Sequence, residues 1–225
     1  YSFDIYTQVA RALREGQGMD GATVEQVIAA GESQSAIALT TYYNGVQPMT
    51  DAFDGFFVHS RASVPLPLVG PDEYADLAGA IGAQPALLRD DLDAPVMELQ
   101  SEGDVIGVLD SISARQPDSD SFRLWEVAGT SHADAHLLGP IAAQANCGVP
   151  INDGPLHLVA KAAYSHLVDW VGSGTAPPTM PWLEVTDADP PVLVRDQDGI
   201  AVGGVRTPPV DVPVDVLSGQ PGPSE

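Results

Sequence analysis

A doubly wound α/β structure with a mainly parallel sheet is expected here, because short apolar runs alternate with longer helical or irregular stretches. Four such runs, at residues 24–30, 56–59, 96–100 and 122–127, are bounded by Gly, Pro, Asp or Ser, as is typical of strands buried on both faces. The helical or irregular stretches lie at residues 35–43, 74–81 and 105–114, and a clear helix is predicted at about residues 156–171. An amphipathic helix, with apolar residues at positions 3, 5, 9 and 13, is predicted to open the chain.

The length of 225 residues and the 44% hydrophobic content fit one globular domain with an appendage. We place the domain at residues 1–182, with residues 62–92 as a lid-like insertion whose leucines and valines indicate an apolar cover. Prolines then become frequent, so residues 183–225 are predicted to be an irregular or β-containing extension that packs on the domain. Its end, from residue 219 onward, is expected to be disordered.

The charge balance excludes several classes of function. The net charge is −22, and phosphate binding needs clustered Lys and Arg, so we expect no nucleic-acid partner. No apolar run is long enough to span a membrane, which predicts a soluble protein; a secreted or periplasmic location is one interpretation, and the compartment stays open. Cys147 is the single cysteine, so no disulfide can form within this chain.

The stretch VIAAGESQSA carries the strongest chemical signal. An apolar run ends at Gly31, turns at Ser33 and continues into helix-forming residues, which is typical of a serine nucleophile on a strand-to-helix turn. Ser35 stands where the usual G-x-S-x-G pattern has glycine, so a small residue is kept there but glycine is not. The backbone N–H of Gln34, directly after the serine, is the predicted oxyanion donor.

A serine nucleophile needs a base and a carboxylate that orients the base. His132 follows the fourth predicted strand and Asp104 follows the third, so the chain order is serine, acid, histidine. Glu102 is the alternative acid, because it lies two residues from Asp104 and has a longer side chain. Asp104 is favoured because aspartate predominates in this role and Gly103 frees the turn.

Other polar residues near the predicted strand ends are candidates for substrate binding. Glu32 adjoins the nucleophile, and His59 and Arg61 follow the second strand at the same edge of the sheet. For each of them a structural role, such as anchoring the turn or a hydrogen-bond cluster, is the competing interpretation. His136 lies four residues after His132 but without the glutamate of an H-E-x-x-H motif, so neither a metal nor another cofactor is predicted.

The chain resembles a bacterial family of alpha/beta hydrolase domain proteins, specifically the carboxyl-terminal half of an α/β-hydrolase domain. The resemblance rests on the stretches VIAAGESQSA, FDGFFVHSR, PVMELQSEGDV, WEVAGTSHAD, NDGPLHLVAKAAYSHLVDWV and GGVRTPPVDVP, which span nearly the whole chain. It implies a sheet of the α/β-hydrolase type and a serine hydrolase that cleaves small-molecule carboxylic esters. In that reading Ser33 is the nucleophile and His132 the base. An acyltransferase and a non-catalytic hydrolase-like subunit are the alternatives.

A second oxyanion donor normally comes from an earlier loop, often marked by His-Gly-Gly, and these residues contain no such sequence. The strand before Ser33 would also form an unpaired, apolar edge of the sheet. We therefore expect a second chain, or an amino-terminal half of the same gene product, to complete the sheet and the oxyanion hole.

Overall fold

The computed structural model describes residues 1–70, 72–144 and 148–220. Its central sheet has four parallel strands, which follow one another across the sheet in the order of the sequence. The strands are β1 (Ile28–Glu32), β2 (Gly55–His59), β3 (Val96–Ser101) and β4 (Phe122–Val127). The α/β class is as expected, but the first strand starts at Ile28 rather than at residue 24 and extends to Glu32.

Helices of unequal length connect and cover the strands. They are α1 (Ser2–Arg14), α2 (Gln34–Thr41), α3 (Gln47–Thr50), α4 (Leu77–Ala80), α5 (Glu102–Val105), α6 (Ala135–Leu138), α7 (Leu156–Ser173) and α8 (Pro208–Asp211). A π-helical turn at Tyr42–Val46 joins α2 to α3, and 3₁₀ turns occur at Ser111–Ala114 and Gly139–Gln144. No helix in the described ranges is long and apolar enough to cross a membrane.

The stretch at residues 105–114, expected to be helical or irregular, is mostly irregular. The helix α5 ends at Val105, and the chain then passes through positive φ angles at Gly107 and Asp110 before the 3₁₀ turn. A run of helical residues cannot include such left-handed positions. The other predicted helices are present, although that at residues 74–81 shrinks to the single turn α4, capped by the Asp76 carboxylate.

The sheet separates two apolar cores because successive side chains of a strand point to opposite faces. On one face, Phe56 and Val58 of β2 pack with residues of α1 and α2, including Tyr42 just beyond α2. On the other face, Phe57 packs with the stripe of α7 that contains Leu167. The opening helix differs from its predicted orientation: Thr7 and Ala10 are buried, whereas Ile5 and Val9 are exposed.

The two edges of the sheet are different. Val205 forms a parallel bridge with Val127 and so extends the sheet beyond β4. The strand β1 lies at the opposite edge, and no described residue pairs with its outer side.

Residues 183–220 form short antiparallel bridges, such as Val185 with Leu193, rather than long strands. Leu183 and Ile200 pack against Val105 and Ala128, so this segment lies on the domain near the ends of β3 and β4. Gly219 and Gln220, which were predicted to be disordered, are instead held by hydrogen bonds. Cys147 and residues 221–225 lie outside the described residues.

Candidate active site

Ser33 lies on the sharp turn between β1 and α2. Its φ and ψ angles are 55° and −121°, a conformation that is rare for any residue with a side chain. The turn is held by a 2.9 Å hydrogen bond from the Ser33 N–H to the carbonyl of His59. The strained backbone therefore sits between two elements that fix it, as a strand-to-helix nucleophile turn requires.

The small residues around Ser33 have different reasons to be small. A Cβ on Gly31 would lie 2.8 Å from the carbonyl carbon of Ser35 and 2.9 Å from Leu39, so only glycine fits there. Ser35 itself is exposed, and it is its backbone that approaches Gly31. This explains why a hydroxyl is tolerated at the position where the common pattern has glycine.

The Ser33 hydroxyl lies 2.9 Å from Nε2 of His132. The Nδ1 atom of His132 lies 2.6 Å from Oδ1 of Asp104. An ionised carboxylate can only accept, so Nδ1 donates to Asp104 and Nε2 is free to accept the hydroxyl proton of Ser33. Three side chains that are far apart in sequence thus form one hydrogen-bonded series at the carboxyl ends of β1, β3 and β4.

Asp104 is completely buried and is fixed by its second oxygen. Oδ2 accepts a 2.7 Å hydrogen bond from the N–H of Ser101, and the aspartate thereby caps the start of α5. The hydrogen bond to Asp104 raises the pKa of His132, and burial of the imidazole opposes this only in part. The protonated form of His132 is therefore stabilised by the carboxylate beside it.

Glu102, the alternative acid, is buried but does not face His132. Its Oε2 accepts a 2.7 Å hydrogen bond from the N–H of Gly129, and its Oε1 is 2.6 Å from Arg195. Both carboxylate oxygens are therefore occupied, and the structure places Asp104 rather than Glu102 against the histidine.

Glu32 and His59 lie beside Ser33, at the ends of neighbouring strands. Nδ1 of His59 is 4.0 Å from Oε2 of Glu32, and its Nε2 is buried with no hydrogen-bond partner among the described residues. Burial lowers the pKa of His59, although the nearby Glu32 acts in the opposite direction. The lowered pKa keeps the His59 ring neutral.

Arg61 is not brought to the site. It is completely buried, and its guanidinium binds Glu98 at 2.9 Å and the carbonyls of Ala86 and Ala114. The sequence placed it correctly after β2, but the chain turns inward at Ser60, whose φ is 55°. In this structure Arg61 ties the residue 62–92 insertion to β3 and offers no donor to a substrate.

The backbone N–H of Gln34 is the first of helix α2, and the first N–H groups of a helix have no partner within the helix. It is thus available to an anion at Ser33. Among the described residues, no group of three or more His, Cys, Asp or Glu side chains is arranged to hold a metal ion.

The insertion at residues 62–92 packs through Val64 and Ala80 against Ile37 of α2. It borders a cavity of about 460 Å³ whose walls include Val64, Ile81 and Leu109. Ser33, Asp104 and His132 do not line this cavity. Part of the predicted apolar cover therefore anchors the insertion to the domain.

Several residues that support the site were not predicted from the sequence. Arg195, Ser218 and Gly219 all bond to Glu102 although they lie far along the chain. One signal was present: the chain has only nine Lys and Arg, so each arginine in it was a candidate for a specific contact.

The fold and the site define a protein with an α/β sheet that presents a Ser–His–Asp series at the carboxyl ends of its strands. Over residues 1–225 the chain matches the sequence model of a family described as alpha/beta hydrolase domain. The chain therefore belongs to this alpha/beta-hydrolase family, and its four-stranded sheet is part of that fold. Membership suggests hydrolase activity. No curated protein and no solved structure matches the chain.

Proposed function

We propose that the protein is a serine hydrolase that cleaves carboxylic esters through an acyl-enzyme on Ser33. The observation that carries this proposal is the continuous hydrogen bonding from the Ser33 hydroxyl through His132 to the buried Asp104. A base at 2.9 Å is within the range needed for proton transfer, and the base is oriented by a third group.

The reaction has two steps of the same kind. Ser33 Oγ attacks the ester carbonyl carbon while Nε2 of His132 takes the hydroxyl proton, and the imidazolium then gives that proton to the departing alkoxide. Water next attacks the acyl-enzyme, Nε2 takes its proton, and the Ser33 oxygen leaves with that proton as the carboxylic acid is released. The Gln34 N–H donates to the oxyanion in both steps. Glu32 and His59 contact the bound ester.

The partner that we propose is a polypeptide segment that pairs with the outer edge of β1. This edge is unpaired among the described residues, and a parallel strand beside β1 would end next to Ser33. The loop after such a strand is in position to supply the second oxyanion donor. Two measurements test this. The mass and the amino-terminal sequence identify every polypeptide in the active sample. Hydrogen exchange of the β1 backbone amides is expected to be slow for those that point to β2 and for those that point outward. Fast exchange of the outer amides in the active enzyme contradicts it.

The hydrolase proposal is tested by the rates of hydrolysis of a series of p-nitrophenyl esters by the complete active sample. The Ser33→Ala variant is expected to lose about 10³-fold or more in kcat, because no nucleophile remains. Ser35→Ala is the matched control, since Ser35 is an exposed serine on the same turn and its loss should leave kcat within about two-fold. Equal activity of Ser33→Ala and wild type overturns the proposal. Product analysis with added alcohols separates hydrolysis from acyl transfer.

A further inference from the structure

Glu102 is a fully buried carboxylate that takes no part in the proton transfers proposed above. Burial of a charge is costly unless the charge is paired and its remaining lone pairs are satisfied. Glu102 meets both conditions, because it accepts from Arg195 at 2.6 Å, from Gly129 N–H at 2.7 Å and from Gly219 N–H at 3.1 Å. The number of its partners points to a specific role.

Glu102 and its partners come from three separate parts of the chain. Glu102 begins the short helix α5 that carries Asp104. Gly129 begins the loop that carries His132, and the backbone N–H of Gly103 also donates to the carbonyl of Thr130 in that loop. The Glu102 side chain thus joins the acid loop directly to the histidine loop.

The third part is the carboxyl-terminal segment. Arg195 donates to Glu102, to Ser218 Oγ at 3.0 Å and to the carbonyl of Gly199 at 2.9 Å. Gly219 is packed so closely that a Cβ there would overlap the carbonyl oxygen of Thr130 and the backbone nitrogen of Gly103. Residues 218–219 therefore lie across the junction of the two loops.

We propose that Glu102, Arg195 and residues 218–219 form a clamp that positions Asp104 and His132 for catalysis. The inference rests on the proposed function, in which these two residues transfer the proton of Ser33. Glu102 and Arg195 are positioning residues. Their hydrogen bonds join the acid loop, the histidine loop and the carboxyl-terminal segment, and none of these bonds is to Ser33 or His132. The carboxyl-terminal segment accordingly acts on the site through Arg195 and residues 218–219.

The test is the double variant Glu102→Gln/Arg195→Met. It removes one negative and one positive charge together, so the net charge near the site is unchanged and no buried charge is left unpaired. The glutamine keeps an oxygen for the Gly129 N–H. The matched control is Arg206→Met/Asp211→Asn. It removes a half-exposed ion pair in the same segment, in which Arg206 Nε lies 2.6 Å from Asp211 Oδ1. Neither residue bonds to the clamp. Arg195→Lys is the milder variant, because it keeps the positive charge beside Glu102. It loses the guanidinium geometry by which Arg195 bonds to Glu102, Ser218 and Gly199 together.

Two measurements separate positioning from mere stability. In the double variant, kcat for an ester is expected to fall about 10- to 100-fold with KM nearly unchanged, because small displacements of reacting groups cost rate more than binding. The acidic limb of the kcat/KM profile is expected to move to lower pH, because a looser bond to Asp104 raises the pKa of His132 less. The charged and titratable groups that face His132 are Asp104, Glu32 and His59, and none of them is substituted.

Proton NMR provides a measurement that does not depend on activity. The proton in the 2.6 Å bond between His132 and Asp104 should give a sharp downfield signal in wild type and in the Arg206/Asp211 control. It should broaden by exchange with water in the double variant and, to a smaller extent, in Arg195→Lys. An unchanged signal together with kcat within about two-fold of wild type overturns the clamp. If wild type hydrolyses no ester while the signal still broadens, the clamp is supported and the proposed function fails.

Discussion

Asp104→Asn is the substitution that most sharply examines the role of the buried acid. In the structure, one oxygen of Asp104 accepts from Ser101 N–H at 2.7 Å and the other accepts from His132 at 2.6 Å. Asparagine has one oxygen and one NH₂ group, so it cannot accept at both places. If its oxygen keeps the bond to Ser101, the NH₂ group faces Nδ1 of His132 and forces that atom to be an acceptor.

This change of tautomer moves the imidazole proton to Nε2, where it blocks transfer from Ser33. If the amide turns the other way, two N–H groups meet at Ser101 and the cap of α5 is lost. Only the first orientation gives every one of these groups a partner, so it is the expected one. It removes the base, and the expected loss in kcat is about 10³- to 10⁴-fold. That loss corresponds to about 4 to 5.5 kcal/mol in the activation free energy. The assay is the single-turnover rate of acylation by a p-nitrophenyl ester.

Asp134→Asn is the matched control for this prediction. Asp134 caps α6 through a 2.7 Å bond from Leu137 N–H, and asparagine caps a helix as well as aspartate does. Its acylation rate should stay within about two-fold of wild type. Acylation by Asp104→Asn at a rate near that of wild type, with a large loss in Glu102→Gln, would show that the acid has been assigned to the wrong residue.

Three further predictions concern the protonation of the base, the turn and the buried arginine. The hydrogen bond to Asp104 raises the pKa of His132 above its ordinary value of 6.5, and His132 must be neutral to act as the base. The value of kcat/KM should therefore fall as the pH drops through a value above 6.5. An acidic limb at or below pH 6.5 in the kcat/KM profile argues against this hydrogen bond. Gly31→Ala should destabilise the fold by about 1 to 3 kcal/mol in urea unfolding and lower the activity, because the new Cβ would lie 2.8 Å from the backbone of Ser35. Gly45→Ala should be neutral or stabilising, because a Cβ there has no atom within 4 Å. Equal effects of the two substitutions contradict the packing argument. Arg61→Ala should cost about 3 to 5 kcal/mol of unfolding free energy, because it leaves the Glu98 carboxylate buried and unpaired. Arg89→Ala, in an exposed ion pair, should leave the unfolding free energy nearly unchanged. The KM of the folded fraction of Arg61→Ala should not change; a raised KM with normal stability would place Arg61 at the substrate site.

Much of the fold could be predicted because its strands are short, apolar and clearly bounded. The runs ending at His59 and Val127 became β2 and β4 almost as predicted. The sequence left residues 105–114 as helical or irregular, because apolar spacing says nothing about the left-handed turns at Gly107 and Asp110. The face of α1 was also misjudged, since Thr7 is buried there by a 2.6 Å bond to the Tyr42 hydroxyl while Ile5 is exposed.

The candidate site was predictable only where a residue follows directly from a strand end. Ser33, Asp104 and His132 all occupy such positions, so strand order was enough to expect them at one edge. The choice between Asp104 and Glu102 depended on side-chain direction within one helical turn, which spacing does not determine. The contact of Arg195 with Glu102 crosses 93 positions of sequence, and no local pattern encodes such a pairing.

Covalent labelling tests whether Ser33 is a nucleophile that His132 activates. The complete active sample is treated with a fluorophosphonate, and the modified peptide is identified by mass spectrometry. We expect one label on Ser33, formed at a rate that falls about 10³-fold or more in His132→Gln. Labelling of a different serine, or labelling of Ser33 at the same rate without the histidine, would contradict it.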